Sequence, residues 1–343
     1  MKSESGFSLL ELMVAMAVML VISGAAVTAL LKMSTTQATI WNRTQMHSGI
    51  RGATEVLQQE VGQAGRIALI SGSSTCTTNT AVPCLNQTIA AGSTTAQTVN
   101  VTSICGMFIG EQLAVDQGSN QETVTITQIN GSASDPTSTQ CPAGSTITAG
   151  NITGVFANPH PLLYATLQAL GGFTAGIVPT ATPNGSTAAI LKLFGDINAD
   201  GSMVYVEYSI SPACICSGTC SPTTTTGNLY RNSMSWNLGS KTPAAASQIL
   251  LSNITQNPNG TACFTYQPQT VNGRTYVTDV AVTLTVQTQL LDPLTNTYQT
   301  ETKALLNVSP RNVFNTWELD SANSTSRIQP TPASITTLLA GPS

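Results

Sequence analysis

An uninterrupted apolar segment near the N-terminus, residues 7–31, constrains the fold of this chain more than any other feature. It contains one charged residue, Glu11, and follows a short polar stretch of residues 1–6. A 25-residue α-helix is about 37 Å long, enough to cross a hydrocarbon layer of about 30 Å. We therefore predict that residues 7–31 form a membrane-spanning helix.

The polar stretch and the apolar segment stand in an unusual order. An ordinary secretory signal carries its cleavage site at the far end of its apolar region. Here the only obvious processing site precedes the apolar region, in the sequence Gly6-Phe7-Ser8-Leu9-Leu10-Glu11-Leu12-Met13. This sequence resembles the class III signal of type IV prepilins and of type II secretion pseudopilins.

The resemblance implies a specific maturation. Prepilin peptidase would cut between Gly6 and Phe7 on the cytoplasmic side and then methylate the new amino group of Phe7. The helix would remain in the mature protein, and Glu11 would become its fifth residue. Because Gly6 has no side chain, it leaves room for a protease to approach the backbone.

Glu11 needs a partner or a function, because a carboxylate inside a membrane helix costs about 2.5 to 3.5 kcal/mol on insertion scales. The resemblance implies that Glu11 meets the N-terminal amine of a neighbouring subunit and sets the axial register of a filament. The alternative is a plain signal anchor in which Glu11 lies near the lipid headgroups.

The helix is predicted to continue beyond the membrane. No proline occurs before Pro83, and residues 32–65 form an amphipathic stretch that ends near residue 63, where Gly62 and Gly65 act as stop signals. Its apolar stripe consists of Ile40, Met46, Ile50, Ala53, Leu57, Val61 and Ala64. The ending Gln63-Ala64-Gly65-Arg66 resembles PilW-like minor pilins, although such a helix could belong to any α+β domain.

The remainder of the chain is predicted to form a β-rich head, residues 66–318, followed by a flexible tail, residues 319–343. Alternating or β-branched segments predict strands near residues 98–102, 122–129, 203–210, 228–231 and 277–286. The fold class is therefore α+β, with a long N-terminal helix packed on an antiparallel sheet. Short head phrases such as Leu229-Tyr230-Arg231 and Ser309-Pro310-Arg311-Asn312 also resemble the PilW-like and pseudopilin J-like group.

Eight cysteines, all in the head, indicate disulfides formed outside the cytoplasm. Cys76 with Cys84, and Cys105 with Cys141, are plausible neighbours. Cys214, Cys216 and Cys220 could bind zinc instead of forming disulfides, although they lack a CxxC knuckle and a nearby histidine. The full set is Cys76, Cys84, Cys105, Cys141, Cys214, Cys216, Cys220 and Cys263.

One head segment matches the twelve-residue calcium loop of EF-hands. Its candidate ligands are Asp196, Asn198, Asp200, the backbone carbonyl of Ser202, and Glu207. A strand is predicted where an EF-hand has its exit helix, and a strand would hold Glu207 farther from a bound ion. Of the candidate ligands, Glu207 is therefore the one least expected to contact calcium. The alternative is an Asx-rich turn between strands.

Composition and motifs argue against two classes of function. Charged residues make up 8% of the chain and the formal net charge is −4, so no basic surface is available for nucleic acid. No nucleophile elbow, phosphate-binding loop or zinc-protease helix is present, and His160, between two prolines, is expected in a surface turn. We expect no enzyme and no certain cofactor, with Ca²⁺ as the one candidate.

The sequence therefore favours a structural minor pilin, anchored by one pass in the bacterial inner membrane with its head in the periplasm, and later part of an extracellular filament. Its partners would be other pilins, reached through the N-terminal helix, and prepilin peptidase. The size of the head suggests a position in the tip or initiation complex. The alternatives are a type II secretion pseudopilin and a calcium-dependent tip adhesin.

Overall fold

The computed structural model describes residues 8–67, 83–135, 149–163, 165–182, 184–221, 226–238 and 248–340. Three helices lie in these ranges: α1 (Leu9–Gln63), α2 (Arg311–Ser321) and α3 (Ala333–Ala340). The strands are β1 (Gln97–Val101), β2 (Gln112–Val115), β3 (Glu122–Thr125), β4 (Gln128–Ile129), β5 (Gly150–Gly154), β6 (Leu167–Ala169), β7 (Gly172–Phe173), β8 (Ile190–Gly195), β9 (Val204–Ser211), β10 (Gly227–Ser235), β11 (Gln248–Thr255), β12 (Phe264–Val271), β13 (Arg274–Gln287), β14 (Thr300–Val308) and β15 (Ile328–Gln329).

Helix α1 runs without interruption from the apolar segment into the head. It starts after Ser8, whose backbone is extended and whose carbonyl accepts the Leu12 N–H at 3.1 Å. It stops at Gln63, and Gly65 follows in the left-handed region at φ +79°. A glycine is favoured there because it lacks the Cβ that makes this conformation costly. The predicted end of the helix is confirmed.

A seven-stranded antiparallel sheet forms the base of the head. Its strand order is β12-β13-β11-β10-β9-β8, and β14 pairs with the outer edge of β13. The second half of α1 lies across this sheet and buries Ile50, Ala53, Leu57 and Val61 against it. The predicted apolar stripe is confirmed over these residues, whereas Ile40 is 59% exposed.

A second part of the head is built from two small antiparallel sheets, β1-β5-β4 and β3-β2-β6. They enclose a separate cluster of buried side chains, which includes Leu85, Val99, Leu113, Phe156 and Leu167. A third cluster lies elsewhere in the head and contains Phe108, Phe173, Phe194 and Trp236. Together these clusters supply the apolar burial that stabilises a head of this size.

The C-terminal segment differs from the flexible tail predicted for residues 319–343. Residues 311–321 form α2, β15 pairs in parallel with β7, and α3 follows. Ile335 and Leu338 of α3 are fully buried in the third cluster. The prediction is wrong for residues 319–340, because two apolar residues at helical spacing suffice to anchor a segment whose overall composition is polar.

All five predicted strand regions contain strands, and the α+β fold class is confirmed. The region near residues 122–129 is divided into β3 and β4. Several strands were not predicted, among them β8, β11 and β14. β8 is buried along most of its length and therefore lacks the alternation that marks a strand with one exposed face.

Candidate functional site: the N-terminal helix and its attachment to the head

The first part of α1, residues 9–31, is largely apolar and is not buried against any other part of the chain that the structure describes. It contains an 18-residue window with a mean hydropathy of 2.4, and none of that window is buried. Large apolar side chains from Leu9 to Leu31 are more than half exposed. An isolated chain in water would not keep such a surface uncovered, so this segment is suited to lipid or to the apolar helices of other subunits.

Of the three predicted residues of the N-terminal motif, only Glu11, the predicted register residue, lies within the described part of the chain. Gly6 and Phe7 lie outside the described residues. Glu11 lies in the first turn of α1, where a carboxylate interacts favourably with the partial positive charge of the helix N-terminus. Because the surrounding leucine and methionine side chains are exposed, the Glu11 carboxylate is accessible to a neighbouring chain.

Near its far end, α1 is fixed to the sheet by a buried ion pair. The Glu60 carboxylate accepts hydrogen bonds from Nη2 of Arg231 at 2.6 Å and from Nε of Arg231 at 3.0 Å. Tyr208, the direct cross-strand neighbour of Arg231, donates its hydroxyl to the same carboxylate. Burial alone would lower the pKa of Arg231, but its hydrogen bonds to Glu60 raise it overall, so the Arg231 guanidinium stays charged.

Closer to the membrane, α1 is held by the connection between β13 and β14. The Asp292 carboxylate accepts a hydrogen bond from the Thr39 hydroxyl at 2.9 Å and lies 3.8 Å from Arg43 Nη2. One turn further along, the His47 ring contacts the carboxylate of Glu301 on β14. This part of α1 is therefore attached to the head by polar contacts, whereas the part from Ile50 to Val61 is attached by its apolar stripe together with the Glu60–Arg231 pair.

The end of α1 is enclosed by the head. A Cβ on Gly65 would lie 2.8 Å from Val313 Cγ2, and one on Gly176 would lie 2.4 Å from Gly65 Cα. The Gly65 N–H donates to the Phe194 carbonyl at 2.9 Å, and the Asn312 side chain donates to the Gln63 carbonyl at 3.3 Å. Helix α2 thus satisfies a backbone carbonyl that the helix end leaves open, and strand β8 accepts an N–H just beyond that end.

The predicted calcium loop follows β8 and closes on itself. Asp196 is buried, and its carboxylate accepts the N–H of Asp200 at 3.0 Å and the N–H of Gly201 at 3.3 Å. Arg66 Nε, just beyond α1, lies 3.5 Å from the same carboxylate. Burial raises the pKa of Asp196, and the Arg66 charge opposes that rise.

The other candidate calcium ligands point to different partners. Asp200 accepts the Ser202 N–H at 2.9 Å, and Asn198 is exposed. Glu207 lies on β9, as the predicted strand implies, where it accepts the Tyr205 hydroxyl at 2.8 Å and lies 3.8 Å from Lys192 Nζ. Within the described ranges, no group of three or more His, Cys, Asp or Glu side chains could hold a metal ion. This geometry favours the Asx-rich turn, and calcium binding stays a prediction.

Disulfides occupy the cysteine cluster of the head. Cys214 pairs with Cys220, and Cys216 pairs with Cys263. The zinc alternative is therefore wrong, because all three of its candidate thiols are oxidised. Cys84 and Cys105 are also disulfide-bonded. The two remaining predicted disulfide cysteines, Cys76 and Cys141, lie outside the described residues.

His160 is not in a surface turn. It is fully buried, with Nδ1 at 3.2 Å from Asp116 and Nε2 at 2.7 Å from Glu122. The two carboxylates lie 44 and 38 residues before it in the chain, so its local sequence between two prolines gave no sign of them. Glu122 is the first residue of β3, and Asp116 directly follows β2 of the same small sheet.

Sequence reasoning missed the residues that attach α1 to the head, namely Glu60, Arg231 and Asp292. One signal was available for Glu60. It lies between Leu57 and Val61 on the apolar stripe, and a carboxylate on a buried helix face needs a charged partner. Asp292 gave no comparable signal, because Thr39, its hydrogen-bond partner on α1, is 253 residues away in sequence.

A short polar leader, an uncovered apolar helix and a disulfide-bonded head are the combination expected of a membrane-anchored, filament-forming protein. Residues 1–27 match the family model described as the prokaryotic N-terminal methylation motif. Comparison with curated proteins and with solved structures gives no match.

The match supports a type IV pilin or pseudopilin-like protein that is processed at its N-terminus. The motif implies cleavage by prepilin peptidase and assembly with other pilins. Together with the exposed apolar helix, it fits a membrane-anchored pilin that is later assembled into an extracellular filament. Members of this motif family are structural proteins.

Proposed function

We propose that this chain is a structural minor subunit of a type IV pilus-like filament, cut between Gly6 and Phe7 and methylated at Phe7. One observation carries the proposal: the methylation motif leads into a single helix of 55 residues. The first part of this helix is apolar and exposed, and its second part packs against the head. A helix attached rigidly to its head can bundle with other helices while the head remains outside the bundle.

In this proposal Glu11 sets the register between subunits. It is the one charged residue in the apolar segment, and it lies within a turn of the helix start. A carboxylate in an apolar bundle is stable only when a positive group meets it, and the new amine of Phe7 on a neighbouring chain is such a group. Only one axial offset between neighbouring subunits would bring the Glu11 carboxylate and the Phe7 amine together.

The size of the head supports a position at the filament tip. The head comprises nearly 280 residues and, in its described part, carries two small three-stranded sheets and the two-stranded sheet of β7 and β15 in addition to the main sheet. A head this large would crowd a helical shaft, whereas a tip leaves space on one side. Together with the phrases that resemble PilW-like pilins, this favours a low-abundance subunit of the initiation complex.

A variant pair tests the assembly role of Glu11. Glu11→Ala in the full chain should leave cleavage after Gly6 intact, as judged by the mass of the mature N-terminus. It should strongly reduce the amount of the subunit in sheared filaments. Glu55→Ala is the matched control, because Glu55 is on the same helix with a side chain that is 63% exposed and paired only with Arg51. Normal incorporation of Glu11→Ala would refute the register role.

The same N-terminal motif occurs in type II secretion pseudopilins, and deletion of the gene separates the two systems. Loss of twitching or of surface filaments would support the minor pilin. Loss of exported enzymes, with twitching and DNA uptake intact, would instead assign the subunit to a secretion system.

A further inference from the structure

An exposed apolar patch lies where the connection between β13 and β14 meets α1. On the helix it consists of Ile40 and Trp41, which are 59% and 74% exposed. On the connection, residues 288–299, it includes Leu290, Leu294 and Tyr298, which are 63%, 64% and 47% exposed. Clusters of large apolar side chains on a protein surface are typical of interaction sites.

The connection that carries these side chains is held in place by hydrogen bonds. Asp292, only 3% exposed, accepts the Leu294 N–H at 2.9 Å, the Gln299 side-chain N–H at 3.0 Å and the Thr39 hydroxyl at 2.9 Å. The Thr288 N–H donates to the Gln299 carbonyl at 2.9 Å and closes the base of the connection. The leucines are thus presented in a fixed position on α1, which lowers the ordering cost of binding.

A shallow, mostly apolar pocket of about 580 Å³ lies within the patch. Its lining includes Ser34, Ala38 and Trp41 of the helix and Leu290 of the connection, and we call it the Trp41–Leu290 pocket. The helix also contributes Ile40 and the polar residues Gln37, Asn42 and Thr44. Ser34, Ala38 and Trp41 are four and three residues apart, so they lie along one face of α1. Two small side chains beside two large ones leave space for a bulky apolar side chain of another molecule.

The position of the pocket indicates what fills it. It begins at Ser34, three residues beyond Leu31, and is continuous along α1 with the apolar surface that pairs with other subunits in the proposed filament. Trp41 lies ten residues beyond Leu31, which is about 15 Å along the helix axis. The interfacial layer of a bilayer is about 5 to 8 Å thick on each side, so lipid would not cover the Trp41 end of the pocket.

We propose that the Trp41–Leu290 pocket binds an apolar side chain of the N-terminal helix of a neighbouring filament subunit. The inference rests on the proposed filament function and extends it, because it makes the head part of the assembly surface. The helix-to-helix contact alone would accept many apolar helices. A pocket shared between α1 and the head also selects the neighbour by shape.

Serine substitutions in the full chain, expressed in the native host, test the pocket. Leu290→Ser and Trp41→Ser should each reduce incorporation into sheared filaments by about tenfold, as expected when one large apolar side chain is no longer buried. Leu162→Ser is the matched control, because Leu162 is 64% exposed and lies in the head away from α1. Processing and disulfide formation should be unchanged in all three variants, because these side chains are exposed.

The outcomes separate this inference from the proposed function. If the wild-type chain is absent from filaments, the proposed function fails. If the wild type is present and Leu290→Ser is incorporated as well as Leu162→Ser, the pocket has no role and the inference is overturned.

A second measurement does not depend on the serine variants. Benzoylphenylalanine placed at position 290 should form a photocrosslink to a peptide from the apolar N-terminal helix of another subunit, identified by mass spectrometry. Crosslinks to lipid alone, or to no other subunit in assembled filaments, would overturn the inference.

Discussion

Glu60 on α1 and Arg231 on β10 form a buried ion pair across the interface between helix and sheet, with the closest nitrogen and oxygen atoms 2.6 Å apart. The side chains are 11% and 18% exposed. Since Tyr208 donates to the same carboxylate, both oxygen atoms of Glu60 are used. The pair fixes the rotation of α1 about its axis, and therefore fixes which face of the helix is left for other subunits.

Removing the carboxylate of this pair should destabilise the head. Glu60→Ala leaves the Arg231 charge and the Tyr208 hydroxyl without their partner, which costs on the order of 3 kcal/mol for a largely buried pair. We expect a clearly lower thermal unfolding midpoint for the full chain in detergent. Glu55→Ala removes an exposed carboxylate from the same helix and should cost less than about 1 kcal/mol. Equal shifts for the two variants would contradict a structural role for the pair.

Glu111 should give the stability of the head a pH dependence. Its side chain is fully buried, and one carboxylate oxygen accepts the Phe108 N–H at 3.3 Å. Its other oxygen has no hydrogen-bond partner among the residues that the structure describes. Burial raises the pKa of Glu111 well above its ordinary value, and the nearby charge of Asp135 adds to the rise.

The sign of the effect follows from proton binding. Above an ordinary glutamate pKa of about 4.3, the unfolded chain releases a proton that the folded chain keeps. Stability therefore falls as pH rises, by up to about 1.4 kcal/mol per pH unit until the folded pKa is reached. Glu111→Gln should raise the unfolding midpoint at pH 7 and give a flatter profile between pH 5 and 8. A profile parallel to the wild type would show that Glu111 does not titrate differently on folding.

The Cys216–Cys263 and Cys214–Cys220 disulfides should contribute unequally to the free energy of unfolding. The Cys216–Cys263 bond spans 47 residues and the Cys214–Cys220 bond spans 6. Loop-closure entropy then predicts a loss of about 4 kcal/mol for the double variant Cys216→Ala/Cys263→Ala, against about 2 kcal/mol for Cys214→Ala/Cys220→Ala. Denaturant unfolding under non-oxidising conditions measures both. A larger loss for the short loop would show that strain or packing, and not chain entropy, dominates.

Asp196 decides between a calcium loop and a structural turn. Its carboxylate already accepts two backbone N–H groups and faces Arg66, so we expect Asp196→Asn to lower the unfolding midpoint equally in calcium and in EDTA. Isothermal titration of the wild-type chain with calcium should give no binding heat. Stabilisation by calcium in the wild type, lost in Asp196→Asn, would establish the calcium loop instead.

The sequence predicted those features of the fold that are local. The course of α1, its end near Gly65 and its buried stripe from Ile50 to Val61 all follow from periodicity and glycine placement. Strands with one exposed face, such as β9, were visible as alternating segments, whereas β8 and α3 were not. Both are held by contacts with distant parts of the chain, which override local composition.

The same distinction applies to the candidate site. Gly6, Phe7 and Glu11 form a contiguous motif and could be found by reading along the chain. The attachment of α1 could not, because Glu60 and Arg231 are 171 residues apart and Thr39 and Asp292 are 253 apart. The twelve-residue calcium pattern is a third case: its spacing matches a ligand loop, and the Asp196 and Asp200 carboxylates accept backbone N–H groups of the same loop, so the pattern alone does not separate the two interpretations.

The hydrogen bonds from Asn312 to the end of α1 join positions 249 residues apart. In the proposed pilin the helix would enter the membrane first, whereas Asn312, which binds its far end, is synthesised 249 residues after Gln63. A chain truncated before residue 311 would keep the N-terminal motif and the apolar helix but would lack α2. The native attachment of α1 would therefore mark a chain that has been translocated beyond residue 312, and a filament that requires it would exclude shorter products.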